Sequence, residues 1–226
     1  MCRMLGMTAA RPTSVRDLLS DGARCLRALS QEHADGWGLA LRRGDDWMVH
    51  RSTACAAHCP NFASGDLDTT IAIAHVRKKT VGELALVNTH PFRRGRFVLA
   101  HNGTVETAAL VARTAPEHLA QIEGTTDSEV LFAFVLTQID AAGDAERGIR
   151  AAVRDLHALG NVGTASLLIS DGARLYAHRL GRPLFVAHRD GVAVIASEPL
   201  NESDRWDEIA ERELLVLEPH AIARAA

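Results

Sequence analysis

The chain has 226 residues, 47% hydrophobic and 23% charged, with a formal net charge of −3. A domain of this size buries about 70% of its unfolded surface, so a sizeable core is available, and the charge balance offers no basic field for gripping nucleic acid. No segment approaches the roughly 20 apolar residues of a membrane span and no basic-then-apolar leader is present, so the expected setting is the cytoplasm, without membrane or nucleic-acid partners.

No repeat, low-complexity tract or Pro/Gly-rich linker divides the sequence, and one domain over 1–226 is expected. In chain order, a helix is read over Val15 to Leu29. It is followed by β-like runs at Trp37 to Leu41, Trp47 to Arg51, Thr70 to Val76 and Phe97 to Ala100. Thr126-Asp127-Ser128-Glu129 has the pattern of a capping box and opens a helix through Val130, Leu131, Phe134, Val135 and Ile139. A second helix covers Glu146 to Leu159, with Ile149, Val153, Leu156 and Leu159 as its apolar stripe. Further β-runs follow at Ala165 to Ser170, Leu175 to His178, Leu184 to Ala187, Val192 to Ala196 and Leu214 to Leu217. Gly44-Asp45-Asp46, Ser170-Asp171-Gly172 and Arg189-Asp190-Gly191 sit where hairpins would reverse. Many strands, largely antiparallel, with a few amphipathic helices on their faces predict an α+β layered fold.

The chemistry begins at Cys2. Loss of Met1 would give Cys2 a free α-amino group, so one residue would hold a thiol nucleophile and its own base, each titrating close to neutral pH. Cys25, Cys55 and Cys59 are the other cysteines, too few for a disulfide scaffold. Cys55-Ala-Ala-His58-Cys59 lacks a second ligand pair at zinc-like spacing, so it reads as packing or surface thiols, and neither metal nor cofactor is expected.

Four further segments carry polar groups of chemical interest. Asp35-Gly36-Trp37-Gly38 places small residues at a strand entrance, which suits close approach of backbone or ligand and equally suits a turn. Ala74-His75-Val76-Arg77-Lys78-Lys79-Thr80 ends a buried β-run in three cations, an exposed basic cluster or a grip for a carboxylate. Asn88-Thr89-His90-Pro91-Phe92 precedes Phe97 to Gly103, where Asn102-Gly103 reads as a hairpin turn or as a pair of donors for an oxyanion. Asp127 suits the positive end of a helix macrodipole and equally a ligand ammonium.

Taken in order, Cys2, Asp35-Gly36-Trp37-Gly38, His75-Val76-Arg77, His101-Asn102-Gly103 and Thr126-Asp127-Ser128-Glu129 resemble the class II glutamine amidotransferases, whose catalytic domain is an N-terminal-nucleophile hydrolase. The resemblance spans roughly Cys2 to Leu136, and Ser197-Glu198-Pro199-Leu200 is similar to a late segment of stand-alone members. It implies a four-layer αββα sandwich of two antiparallel sheets. It also implies Cys2 as nucleophile through a γ-glutamyl thioester, Asn102 and Gly103 as oxyanion donors, and Arg77 and Asp127 as partners of the substrate α-carboxylate and α-ammonium. Arg3 either adds positive potential that favours the thiolate or is simply exposed. Where the glucosamine-synthesising relatives have Arg-Trp-Ala-Thr-His-Gly, this chain reads Arg77-Lys78-Lys79-Thr80-Val81-Gly82, keeping Thr80 in the substrate-binding segment and changing the pocket wall.

The expected activity is therefore hydrolysis of glutamine or of a γ-glutamyl small molecule by a stand-alone enzyme. A subunit handing ammonia to a separate synthase partner, or a catalytically silent binding protein on the same fold, are the alternatives. An acylase for other amides fits less well, because an apolar acyl chain would strand the charges of Arg77 and Asp127.

Overall fold

The computed structural model describes residues 2–189 and 191–219; Met1 and Asp190, the latter within one expected hairpin turn, lie outside them. Twelve strands are described: β1 (Arg3–Ser14), β2 (Trp37–Arg43), β3 (Asp46–Ser52), β4 (Asp68–Val76), β5 (Phe92–Arg94), β6 (Phe97–Val105), β7 (Gly163–Ser170), β8 (Leu175–His178), β9 (Phe185–Arg189), β10 (Val192–Ala196), β11 (Trp206–Glu208) and β12 (Leu214–Leu217). The helices are α1 (Leu26–Leu29), α2 (Ala108–Val111), α3 (Pro116–Leu119), α4 (Asp127–Ala142) and α5 (Ala145–Ala158).

The strands form a seven-stranded sheet, ordered β11-β9-β10-β1-β4-β2-β3, and a five-stranded sheet, ordered β12-β8-β7-β6-β5. Every described pairing is antiparallel. Three apolar layers hold them together. Met4, Ile71 and Ile73 from the larger sheet meet Val98, Ala100, Leu168 and Ala177 from the smaller one. The outer face of the smaller sheet packs Leu99, Leu167 and Ile169 against Leu131, Phe134, Val135, Ile149 and Leu156 of α4 and α5. On the outer face of the larger sheet, Leu5, Met7, Leu39, Leu41 and Ala74 are covered by Leu18, Leu19, Leu26 and Phe62. The α+β sandwich of two antiparallel sheets is thus the observed architecture, with a full helical layer on one side and a thinner one on the other.

That thin layer corrects one expectation. Val15 to Leu29 is not one helix but a five-residue π-helical turn, Asp17–Asp21, followed by the four-residue α1. Gly22 interrupts it in an extended conformation, with its N–H bonded to the Asp17 carbonyl at 3.0 Å. A second correction concerns β1, a central strand that patterning did not reveal. Its sequence Arg-Met-Leu-Gly-Met-Thr-Ala-Ala lacks the β-branched runs that mark strands, because both faces are buried and Gly6 faces the opposite sheet. A Cβ there would lie 2.9 Å from Leu175 Cδ2, so glycine sets how closely the sheets approach.

The edge of the inter-sheet layer nearest the N-terminus is built from imidazoles. His75 and His90 are buried with ring centroids 4.4 Å apart, and His90 meets Phe92 at 4.6 Å. Burial holds His75 down at about 3 and His90 well below its ordinary value of 6.5, helped by neighbouring positive groups, so both are neutral near pH 7. An unfolded chain regains protons at these rings below about pH 6.5 while the folded one does not. Stability is therefore fully present above that pH and declines as acid is added. The urea midpoint should hold steady above pH 7 and fall between pH 6.5 and 5, above the range where carboxylates titrate, with a shallower fall in His75→Phe; a flat profile in the parent protein would refute this account.

Candidate active site

Cys2 immediately precedes β1, where register pairs Arg3 with Val76 and Met4 with His75. Continuing that register sets Cys2 beside Arg77, one residue beyond the end of β4. Because side chains alternate along a strand, Cys2 shares the inter-sheet face of Met4. The half-buried thiol accepts a hydrogen bond from the Lys78 N–H at 3.3 Å and lies 3.4 Å from the Lys78 carbonyl as donor. Burial pushes its pKa up, opposed by the Lys78 hydrogen bond and by positive charge that includes Arg77. The thiol is therefore not a preformed thiolate at neutral pH.

Arg77 is buried, 4% exposed, and its backbone continues the β4 ladder onto Asp35-Gly36: Asp35 N–H donates to the Arg77 carbonyl at 3.0 Å, and Arg77 N–H to the Gly36 carbonyl at 2.8 Å. Asp35 also accepts the Lys79 N–H at 2.8 Å, which fixes the turn after Arg77. Gly38 is needed for a different close approach, since a Cβ there would overlap the His90 carbonyl oxygen at 2.0 Å. The small residues of Asp35-Gly36-Trp37-Gly38 thus serve the packing of backbone on backbone. The Arg77 guanidinium donates to the carbonyls of Val81 (2.9 Å) and Glu83 (3.1 Å), so it curls the exposed loop bearing Thr80 around itself. These contacts leave further guanidinium donors for a ligand.

Asn102 and Gly103 come from the opposite sheet and correct the turn reading: both lie inside β6, paired with Ser166 and Ala165 of β7. Asn102 is 5% exposed and, two residues after Ala100, shares the inter-sheet face onto which Cys2 opens. Gly103 admits no side chain, because a Cβ would overlap the Thr164 carbonyl oxygen at 2.0 Å. Two residues on, Val105 donates its N–H away from β7 to Asp127 Oδ2 at 2.8 Å. By strand alternation the Gly103 N–H faces the same side, which β5 leaves uncovered beyond the Phe92–Leu99 pair.

Asp127 therefore bolts the start of α4 to the end of β6. Asp127 also lines an open pocket of about 340 Å³ whose wall includes Val81, Thr104 and Thr125, so the loop gripped by Arg77 and the start of α4 border one space. Asn88 ties the two together, donating to the Glu83 carbonyl at 3.1 Å and accepting the Thr125 N–H at 2.8 Å. The expected capping box does not form. Thr126 makes no side-chain cap, and Glu129 turns instead to the N–H of Gly124 at 2.7 Å, that of Glu123 at 3.3 Å, and Arg94 at 3.2 Å.

Three residues were given no role from the sequence, His33 because it was not singled out, and His101 and Glu198 although they stand in segments that carry the resemblance. His33 is buried, its pKa lowered to about 4 by burial and then by positive neighbours that include Arg3 and Lys78, so it is neutral near pH 7. His101 bonds Ser128 Oγ at 2.9 Å and meets the Thr164 carbonyl at 3.1 Å, joining β6, β7 and α4. Glu198 pairs with Arg3. A lone His such as His33 has no sequence pattern that separates it from surface residues, and the partners of His101 and Glu198 lie on distant elements that the motifs do not reveal. Away from the site, the Cys55 thiol donates to the Ser30 carbonyl at 3.3 Å and Cys59 lies in the core, in keeping with packing roles. Among the described residues no helix is long and apolar enough to cross a membrane.

Residues 1–189 match the family described as class-II glutamine amidotransferases. The chain is 33% identical over 228 residues to a γ-glutamyl-hercynylcysteine sulfoxide hydrolase of Mycobacterium tuberculosis, covering 95% of this chain and 92% of that protein. Its fold is similar to that of a glutamine aminotransferase class-II domain protein from Silicibacter pomeroyi, with TM-score 0.69 and 23% identity over 95% of this chain and 94% of that one. It is also similar in fold to the glutamine phosphoribosylpyrophosphate amidotransferase of B. subtilis, with TM-score 0.72 and 20% identity over 96% of this chain and 47% of that one. With its two-sheet sandwich and the family match over most of its length, the chain belongs to the class II glutamine amidotransferases.

Proposed function

We propose that the protein hydrolyses the γ-glutamyl amide bond of a small molecule larger than glutamine, with Cys2 as nucleophile after removal of Met1. The relative named as a γ-glutamyl-hercynylcysteine sulfoxide hydrolase supports γ-glutamyl amide hydrolysis as the class of reaction. The observation that carries the mechanism is the seat of the Cys2 sulfur: among the described residues its hydrogen-bond contacts are the Lys78 backbone groups, with no side-chain base in reach. A buried thiol whose pKa is raised needs a base, and the α-amino group on the same residue supplies one, directly or through a water.

In this reading the Cys2 sulfur attacks the amide carbon as its proton passes to the α-amine. The oxyanion is met by the Asn102 amide and the Gly103 N–H, the amine leaves with a proton, and water hydrolyses the γ-glutamyl thioester. Arg77 takes the substrate α-carboxylate and Asp127 the α-ammonium, with Thr80 on the loop that closes the glutamyl end. Lys78, Lys79 and Val81 form the wall on which a larger leaving amine would rest. Contacts beyond the scissile bond then raise kcat/KM, which ammonia as leaving group cannot do.

Cys2→Ala should abolish hydrolysis while leaving the thermal transition in place, and a verified block of the Cys2 amine should do nearly the same; a blocked protein working at the parent rate rules out the terminal-amine base. Asn102→Ala should lower kcat by about 10²–10³. Arg77→Lys and Asp127→Asn should chiefly raise KM, and an Asp127→Asn enzyme with the parent KM would confine that carboxylate to its bond with Val105. The leaving group is read out by comparing kcat/KM for glutamine with γ-glutamyl amines and γ-glutamyl peptides. Larger substrates should win, whereas glutamine as best substrate, accelerated by a synthase, would establish the ammonia-supplying role.

A further inference from the structure

We propose that Glu198 is a positioning residue for the nucleophile, acting through Arg3. The inference rests on Cys2 as the attacking group and concerns how a residue at the very start of a strand is held still. The β1–β10 ladder ends at Leu5 and Ala196. Beyond it the next segment takes over: Ser197 Oγ accepts the Met4 N–H at 3.0 Å, and the Ser197 N–H donates to the Met4 carbonyl at 3.1 Å. Glu198 then accepts from Arg3 Nε at 3.0 Å, while Arg3 Nη1 donates to the Cys2 carbonyl at 3.2 Å. One guanidinium therefore bridges the Glu198 carboxylate and the backbone of the nucleophile.

The second Glu198 oxygen faces Arg24 Nη2 at 3.6 Å, which braces the carboxylate from its far side. The Arg3 and Glu198 side chains are 20% and 21% exposed, so the pair is shielded where an open surface pair would be worth little. Chain termini fray unless tied down, and here fraying would move both the thiol and the amine that serves it. The pairing also settles what Arg3 does. Its charge is paired with Glu198 and its Nη1 is given to the Cys2 carbonyl, so toward Cys2 the role proposed here is geometric. Without Glu198, the Arg3 guanidinium would keep the Cys2 carbonyl as its one described partner, and a single contact no longer fixes its plane or holds that carbonyl firmly.

The test uses Glu198→Gln, Arg3→Gln and the double variant of the full chain, with two readouts. One is the rate at which a glutamine-analogue electrophile labels Cys2, followed by peptide mass spectrometry; the other is kcat and KM on γ-glutamyl-p-nitroanilide. A misplacement of about 1 Å costs about 10²-fold, so each single variant should lose about 10–10²-fold in kcat and in labelling with KM within about twofold. Residues acting as one unit are non-additive, so the double variant should be no worse than the poorer single one by more than about twofold. Glu198→Asp, which keeps the charge, should recover part of the labelling rate. Unchanged labelling in Glu198→Gln, or losses that multiply in the double variant, would overturn the proposal. Should Glu198→Gln fail to fold, Arg3→Gln carries the same test. Parent protein that is not labelled at Cys2 removes the nucleophile assignment itself, whereas labelled parent with an unslowed Glu198→Gln removes only the clamp.

Discussion

The antiparallel ladder between β1 and β4 is the constraint on which the site depends. It sets Arg3 against Val76, and hence Cys2 against Arg77, at the open edge between the sheets. A strand has a side-chain period of two, so a one-residue slip would turn Cys2 out of the inter-sheet face and put Arg3 in its place. The slip is resisted by burial on both faces, with Met4 in the inter-sheet core and Leu5 and Met7 in the outer one. Packing energy thus fixes chemical geometry: the apolar residues that follow Cys2 are what aim it.

Charge is distributed around this edge with equal economy. Burial keeps His75, His90 and His33 neutral, so the positive groups near the thiol are few and specific, Arg77 foremost among the named side chains. Arg77 is held by carbonyls of its own loop with donors to spare, and among the described residues it forms no ion pair, although the Asp35 charge acts on it. A carboxylate-bearing ligand would then gain a charge-assisted partner at the cost of weaker backbone contacts.

The candidate site residues were easier to single out in the sequence than the local structure that holds them. Cys2, Arg77, Asn102, Gly103 and Asp127 stood out because their types and order form a joint pattern. The strand carrying Cys2 did not, since a doubly buried strand with Gly6 and a pair of alanines has neither alternation nor β-branched density. Asn102-Gly103 looked like a turn because local propensity favours one there, and pairing with β7 overrode it. Glu129 met the spacing of a capping box, yet the N–H groups of Glu123 and Gly124 and the Arg94 guanidinium compete for the same oxygens and win. In each case the deciding partner is distant in sequence or belongs to a loop without its own pattern.

That non-locality has a functional side. Arg3 and Glu198 are 195 residues apart, and Cys2 reaches across 76 residues to Lys78. Contacts of such separation form only after long loops have closed, so they come late relative to local helices such as α5. In the proposed mechanism the nucleophile and its base share one residue and need no partner to exist, but they need distant partners to be oriented. Such a pair would depend on the completed sandwich for its aim, because the groups that hold Cys2 belong to the segments after β4 and after β10.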